Sequence, residues 1–101
     1  MKPFAFEIEA QHDFVDAMLS LEFARTGYGT RFQTAIRLAF DLIRSQPAIG
    51  TRIARTKCRQ WIVIGFAYSI VYQELDEVFR IWAIAHHKRK PGYWKKRLHK
   101  L

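Results

Sequence analysis

The chain has 101 residues, half of them hydrophobic and about a quarter charged, which predicts one folded globular domain over residues 1–101 and excludes a disordered chain. Residues 1–50 carry five Lys or Arg and six Asp or Glu, a net charge of −1, whereas residues 51–101 carry twelve and three, a net charge of +9. This asymmetry predicts an acidic partner for the C-terminal half, or a basic surface that serves only solubility.

The sequence gives no sign of a membrane segment or of a secreted, disulfide-bonded protein. No apolar run approaches the roughly 20 residues that a spanning helix needs, and Glu7, Glu9 and Asp13 interrupt the place of a signal-peptide apolar core. Cys58 is the only cysteine, so an internal disulfide is impossible. Its cationic neighbours would lower the thiol pKa, but no histidine is near in sequence to activate it. We therefore expect a cytoplasmic protein without membrane contact, in which Cys58 has no catalytic role.

The N-terminal half predicts a short strand and two helices. Residues 4–8 alternate as a strand does, and from about Ala10 to Ala24 the apolar residues recur at helical spacing. That first helix is predicted to present one apolar face, made of Phe14, Val15, Met18, Leu19 and Leu21.

A glycine-containing break at residues 26–29 leads to a second helix, with Thr30 as its expected N-cap and Pro47 and Gly50 ending it. Two helices joined by so short a break should form an antiparallel hairpin. The core face of the second helix is predicted to consist of Phe32, Ile36, Ala39, Phe40 and Ile43.

Three further strands are predicted in the C-terminal half. Residues 60–64 form a continuous apolar run typical of a buried strand, and Gly65 ends it. Residues 68–75 and 78–86 flank Asp76 and Glu77, which would form a two-residue hairpin loop. The order β-α-α-β-β-β predicts an α+β fold in which an antiparallel sheet packs on the helical hairpin.

The hairpin register follows if Leu75 pairs with Val78. One face would then pair Gln73 with Arg80, Val71 with Trp82, Ser69 with Ile84, and Ala67 with His86. We expect that face to point outward or to line a groove. The other face, expected to pack on the helices, contains Tyr68, Ile70, Tyr72, Phe79, Ile81, Ala83 and Ala85.

Cations and aromatic residues are concentrated after the last strand. The run from His86 to Lys90 is followed by Tyr93 and Trp94, and in such a segment Lys and Arg can grip phosphate while aromatic rings stack on bases. Alternatively, Tyr93 and Trp94 dock a terminal helix on the sheet. Arg52, Arg55, Lys57 and Arg59 would form a second wall of a groove, or a solvated basic loop. The two histidines have no further ligand at metal-binding spacing, so we expect neither a metal nor a cofactor.

The pattern F-x-Y-x-I-V-Y over residues 66–72 precedes I-x-A-I-x-H-x-x-R-x-P-x-Y-W-x-x-R over residues 81–97. With the P-x-x-G of residues 47–50 and Arg59 at a strand start, this sequence resembles the RelE/ParE family of bacterial toxins. The resemblance implies the β-α-α-β-β-β fold reached above. It also implies a toxin of a type II toxin–antitoxin system, whose partner is a cognate acidic antitoxin with a C-terminal segment that wraps the toxin.

The resemblance implies two alternative targets. RelE-like members cleave mRNA on the ribosome, and ParE-like members bind DNA gyrase. In the RelE-like branch an arginine typically precedes the I-V-Y triplet, and here that position is Ser69. The tail with Arg89, Pro91, Tyr93 and Arg97 is more similar to the ParE-like, plasmid-stabilisation branch. We therefore favour a ParE-like gyrase-binding toxin, with a metal-independent endoribonuclease as the alternative.

The residues expected to bind the target or a phosphate share a cationic or aromatic side chain near the strand ends: Arg59, Arg80, His86, Lys88, Arg89, Tyr93, Trp94 and Arg97. If the protein is a nuclease, the candidate catalytic residues are His86, His87, Lys88 and Tyr93.

Overall fold

The computed structural model describes residues 2–100. Its elements in chain order are β1 (Phe4–Phe6), α1 (Ile8–Ala24), α2 (Tyr28–Ser45), β2 (Thr51–Arg52), β3 (Arg59–Ile62), β4 (Tyr68–Glu74), β5 (Phe79–His86) and a C-terminal 3-10 helix (Tyr93–Lys100). No helix within these residues is long and apolar enough to cross a membrane.

The strands form one five-stranded sheet in the order β1-β5-β4-β3-β2. All neighbours are antiparallel except β1 and β5, which run parallel. The predicted α+β fold, a helical hairpin on a mainly antiparallel sheet, is confirmed. The predicted two-residue hairpin loop is also present, since the Leu75 N–H donates to the Val78 carbonyl at 2.9 Å. The short edge strand β2 was not predicted.

The turn between the helices depends on Gly27 and Glu22. Gly27 has φ 89°, in the left-handed region that favours glycine, and is the N-cap of α2. The Glu22 carboxylate accepts hydrogen bonds from the N–H groups of Gly27 at 2.9 Å and Gly29 at 3.0 Å. The acceptor that a helix start requires therefore comes from the preceding helix. The prediction of Thr30 as N-cap is wrong, since α2 begins at Tyr28.

The main core lies between the helices and one face of the sheet, here called the helix face. The predicted core face of α2 is confirmed: Phe32, Ile36, Ala39 and Ile43 are buried, and Phe40 packs against them. From α1, Phe14, Met18 and Leu21 pack on this core as predicted. Val15 and Leu19 do not, because they lie on the opposite side of α1 and are exposed.

A β-bulge in β5 changes the predicted register of the hairpin. Gln73 pairs with Arg80 and Tyr72 with Ile81 as the predicted register requires, but Val71 pairs with Ala83, so Trp82 is an extra residue in β5. The predicted pairing of Val71 with Trp82 is therefore wrong.

Beyond the bulge the pairing is displaced by one residue. Ser69 pairs with Ala85 and Tyr68 with His86, in place of the predicted partners Ile84 for Ser69 and Ala67 for His86. Because side chains alternate along a strand, this shift moves Ile84 and His86 to the helix face. It also moves Ala83 and Ala85, which were predicted there, to the other face.

That other face, here called the tail face, is partly covered by the C-terminal 3-10 helix. Cys58, Val71, Trp82, Ala83 and Trp94 form a second buried cluster there. Trp94 therefore docks the tail on the sheet, one of its two predicted roles. The predicted outward face is thus a second core at one end and remains open only near Ser69.

The apolar run at residues 60–64 is not the buried strand that was predicted. Val63 is buried, but Ile62 and Ile64 are 55% and 75% exposed. The reason is position: Ile62 pairs with Ser69 on the part of the tail face that the 3-10 helix leaves uncovered, and Ile64 lies in the turn after β3.

Candidate functional site

A groove of about 740 Å³ lies on the tail face where the 3-10 helix leaves the sheet uncovered. The floor of the groove is formed by β3, β4 and the end of β5, and one wall is formed by the segment that leads into the 3-10 helix. The groove lining includes Ile62, Ile64, Ser69, His86, His87, Arg89, Lys90, Tyr93 and Lys95. The charged side chains of its described lining are all cations, Arg89, Lys90 and Lys95, so the groove is suited to an anionic or acidic ligand.

Ser69 and His87 contact each other in this groove. The Ser69 Oγ lies 2.9 Å from His87 Nε2, and Ser69 is buried. The His87 backbone N–H donates to the Ala67 carbonyl at 2.9 Å, which holds the end of β5 against β4. Such a pair can exchange a proton between hydroxyl and imidazole. Within residues 2–100 no carboxylate is hydrogen-bonded to His87, so the pair lacks the third group of a triad.

The His86 ring is turned to the helix face, whereas the His87 ring contacts Ser69 on the tail face. The His86 ring meets Tyr68 edge-on with centroids 4.8 Å apart, and His86 Nδ1 accepts the Lys88 N–H at 3.0 Å. His86 lines the groove and also a smaller cavity of about 280 Å³ beside α1. Of the four candidate nuclease residues, the structure brings His86, His87 and Tyr93 to the groove lining and leaves Lys88 outside it.

Tyr93 lies between two guanidinium groups. Arg89 is 3.9 Å and Arg97 is 5.4 Å from the centroid of its ring. Burial raises the pKa of Tyr93 and the Asp13 carboxylate raises it further, against a smaller lowering by Arg97 and Arg89. The hydroxyl therefore remains protonated at neutral pH, and Tyr93 can donate a proton or a hydrogen bond but is not poised as a base.

Arg97 is held inside the protein by Asp13. Two Arg97 nitrogens lie 2.7 and 3.2 Å from the two Asp13 carboxylate oxygens, and Arg97 Nη1 also donates to the Trp82 carbonyl at 3.0 Å. Asp13 additionally accepts the Ile84 N–H at 3.1 Å. Burial lowers the pKa of Arg97, but the hydrogen bond and charge of Asp13 outweigh it and raise the pKa overall. Asp13 and Arg97 thus bind the Ile84 N–H and the Trp82 carbonyl of β5, which lie beyond Ile81, the last residue of β5 that pairs with β1.

Arg59 and Arg80 are also engaged within the fold. Arg59 donates to the carbonyls of Gly50 at 2.9 Å and Ala48 at 3.3 Å, and Arg80 forms a 2.7 Å ion pair with Glu7. Lys88 and Arg89 are exposed. Target binding by any of these residues stays a prediction. Arg59 and Arg80 would give up these hydrogen bonds and this ion pair to serve it, and Arg89 its contact with the Tyr93 ring.

Cys58 is buried in the second core, beneath the 3-10 helix. Burial raises the pKa of its thiol above the ordinary value of 9.0, and a hydrogen bond with Thr56 lowers it only in part. The expectation that neighbouring cations would lower this pKa is wrong, because burial dominates.

Two exposed apolar features of the structure were not predicted from the sequence. Ile62 and Ile64 line the groove, and Ile8, Val15, Leu19 and Phe23 form a ridge along the outer side of α1, with Phe23 96% exposed. The spacing of the last three at i, i+4 and i+8 was a usable signal, since it defines a helix side opposite the core face. No comparable pattern indicates that Ile62 and Ile64 are exposed, because hydrophobic periodicity does not reveal which strand lies near the edge of a sheet.

Within residues 2–100 no three His, Cys, Asp or Glu side chains are grouped to hold a metal ion. No protein-family model matches the sequence, and no curated protein matches it.

Proposed function

We propose that this chain is a RelE/ParE-like toxin of a type II toxin–antitoxin system, of the ParE-like branch, which arrests growth by binding DNA gyrase and is neutralised by a cognate acidic antitoxin. The observation that carries the proposal is the groove on the tail face. It combines cations on its rim with an apolar floor, and the position where a nuclease would need a cation is the neutral Ser69.

The groove favours binding over phosphodiester cleavage. Cleavage requires stabilisation of extra negative charge on the phosphate, and the loss of one positioned donor typically reduces the rate about 100-fold or more. Ser69 has no charge and its hydroxyl is engaged with His87. The His86 ring is turned toward Tyr68 on the helix face and Lys88 is outside the groove lining, so the groove does not assemble the full set of nuclease candidates.

Two exposed surfaces support the proposal that the chain acts in complexes with other proteins. The cationic groove complements an acidic antitoxin. The α1 ridge exposes Val15, Leu19 and Phe23 together, and contiguous exposed apolar patches are typical of interaction sites.

The alternative function is a RelE-like ribosome-dependent mRNA endoribonuclease. The contact of Ser69 with His87 favours it, since it places a proton-transfer group in a cationic groove. Tyr93 could donate a proton there, and Arg89 could contact a phosphate.

Gyrase supercoiling and toeprinting of a translating mRNA, run side by side with the purified protein, test the proposal. We expect inhibition of supercoiling and no codon-specific cleavage. Arg89→Ala should weaken inhibition by about tenfold while the melting temperature is nearly unchanged, because exposed charges contribute little to folding. Lys96→Ala is the matched control, since Lys96 is an exposed cation of the following 3-10 helix and lies outside the groove lining.

Codon-specific cleavage with unaffected gyrase would replace the proposal by the nuclease alternative. In cells, growth arrest by the chain should be relieved when the protein encoded beside it is co-expressed. Growth arrest that this neighbour neither binds nor relieves would contradict the toxin–antitoxin assignment.

A further inference from the structure

Helix α1 is apolar on two opposite sides. Its core side packs on the sheet and on α2, whereas its outer side is the α1 ridge, in which Ile8, Val15, Leu19 and Phe23 are each at least half exposed. On α2, within Tyr28–Ser45, the one large apolar side chain that is exposed is Leu38. A surface helix is normally apolar only toward its core, so the second apolar side of α1 predicts a partner that covers it.

The positions along the ridge are symmetric about its middle. Together with the exposed His12 and Asp16, the ridge occupies positions 8, 12, 15, 16, 19 and 23, whose spacing is the same in both directions. At about 3.6 residues per turn these positions lie within about 100° of one another around α1. A two-fold axis perpendicular to α1 between Val15 and Asp16 would therefore bring Ile8 of one copy opposite Phe23 of another. Such self-complementarity is what a symmetric dimer requires.

The exposed area of the ridge matches what a weak dimer needs. Phe23 alone exposes about 200 Å², and the four apolar side chains together expose roughly 500 Å². Two copies joined ridge to ridge would bury roughly 1,000 Å², which is the lower limit for a specific interface. We therefore expect a reversible dimer with a Kd of about 10 to 100 μM.

The charges of α1 argue against an acidic segment as the occupant of the ridge. Apart from His12, the charged or titratable residues of this helix are all carboxylates: Glu9, Asp13, Asp16 and Glu22. An acidic segment would be repelled here and is better matched by the cationic groove on the tail face. In a ridge-to-ridge dimer the two Asp16 carboxylates come closest to each other, because they flank the two-fold axis. Asp16 is exposed to water, so their repulsion weakens the dimer without preventing it.

We infer that two copies of the chain associate through their α1 ridges, with the two α1 helices antiparallel about a two-fold axis between Val15 and Asp16. This goes beyond the proposed function, which names no second copy. Because α1 lies on the helix face of the sheet, both tail-face grooves remain open in the dimer. The dimer can therefore bind two partner chains, or two sites on one partner, at the same time.

Sedimentation velocity of the purified chain from about 1 to about 300 μM tests the association. We expect a reversible monomer–dimer equilibrium with no larger species, since a two-fold contact is closed. Moderate salt should tighten the dimer several-fold, because it screens the repulsion between two copies that each carry a net charge of +8. A contact between the cationic groove of one copy and the acidic α1 of another would instead weaken with salt.

Matched variants locate the contact on the ridge. Phe23→Ser should raise the dissociation constant at least about tenfold, because the substitution removes apolar area from both ends of the symmetric interface. Leu38→Ser, at an exposed position on α2, should leave it unchanged. Asp16→Asn should tighten the dimer about threefold or more by removing the like-charge contact at the axis, a gain that misfolding cannot produce. In dilute protein all three variants should keep the wild-type melting temperature, since each side chain is exposed.

A disulfide trap tests the antiparallel arrangement. Val15 lies next to the proposed axis, so two Val15→Cys chains should form a disulfide-linked dimer on mild oxidation. Leu38→Cys chains should remain monomeric under the same conditions, and the native Cys58 does not interfere because it is buried.

Four results would overturn the inference. They are a monomer throughout the concentration series, a dimer that Phe23→Ser leaves intact, a dimer that salt weakens and Arg89→Ala disrupts, or equal cross-linking of the Val15→Cys and Leu38→Cys chains. The third would identify a head-to-tail contact through the groove, and the fourth would show random collision in place of a defined interface.

Discussion

Replacement of Asp13 by alanine should destabilise the protein more than any surface substitution. The Arg97 and Asp13 side chains are only 11% and 15% exposed, and the carboxylate contacts both Arg97 and the Ile84 N–H. Asp13→Ala would leave a largely buried guanidinium unpaired and a strand N–H without its acceptor.

The size of the effect follows from these contacts. Removing one partner of a buried ion pair typically costs about 3–5 kcal/mol, and the residual exposure of this pair places it at the lower end, about 3 kcal/mol. For a chain of this length that corresponds to a fall in melting temperature of roughly 12 to 24 °C. Against a typical total stability of about 5–15 kcal/mol, the variant should be near the limit of folding.

Urea unfolding and calorimetry of the wild type, Asp13→Ala, Arg97→Met and the double variant test this reasoning. The double variant should be less destabilised than the sum of the single ones, because no charge is left unpaired. Asp41→Ala is the control, since Asp41 pairs with Arg44 at 3.5 Å on the surface and should cost about 0.5 kcal/mol or less. Equal small losses for Asp13→Ala and Asp41→Ala would refute the structural role of the buried pair.

Tyr72→Phe should lower the free energy of unfolding by about 1–3 kcal/mol in urea titrations. The reason is that the Tyr72 hydroxyl donates to the Pro47 carbonyl at 2.7 Å and accepts the Gly50 N–H at 3.0 Å. An unchanged free energy would show that water replaces the hydroxyl in these hydrogen bonds. Stability should be fully present below about pH 9 and fall as the pH rises through the raised folded pKa of the Cys58 thiol. Urea midpoints from about pH 8 to about pH 10 measure this, and Cys58→Ala should flatten the decline. Phe23→Ser should reduce binding of a hydrophobic dye with the melting temperature unchanged; a large destabilisation would place Phe23 in the core instead.

The helices and the order of the elements could be predicted from the sequence because they depend on local periodicity and on turn residues. Phe32, Ile36 and Ile43 recur on one side of α2 and are buried as expected. The start of α2 could not be predicted, since its acceptor is Glu22, a side chain from the other helix. Sequence patterns for helix caps consider only residues next to the helix start, whereas this capping carboxylate lies on the other side of the turn.

The bulge at Trp82 determined how much of the site was predictable. Up to Ile81 the register could be counted from the hairpin loop, but one extra residue reverses every later side chain. Ser69 was correctly expected on the groove side because it lies on β4, the strand without the extra residue. His86 was not, because it follows the bulge on β5. No local pattern marks Trp82 as the extra residue, since its burial depends on Trp94, which is far along the chain.

The positive charge of the C-terminal half is divided between folding and the groove, and salt should separate the two. Arg97 is paired with Asp13 in a largely buried position, whereas Arg89, Lys90 and Lys95 are exposed at the groove. Salt screens exposed charges over about 10 Å at 0.1 M and buried pairs much less. Binding of an acidic peptide should therefore weaken steeply between low and moderate salt, while the melting temperature changes little. Titrations of a peptide of alternating glutamate and valine residues measure the affinity, and calorimetry in the same salt series measures the melting temperature. A melting temperature that falls in parallel with the affinity would mean that the groove cations also hold the fold together, and the division argued from their exposure would be wrong.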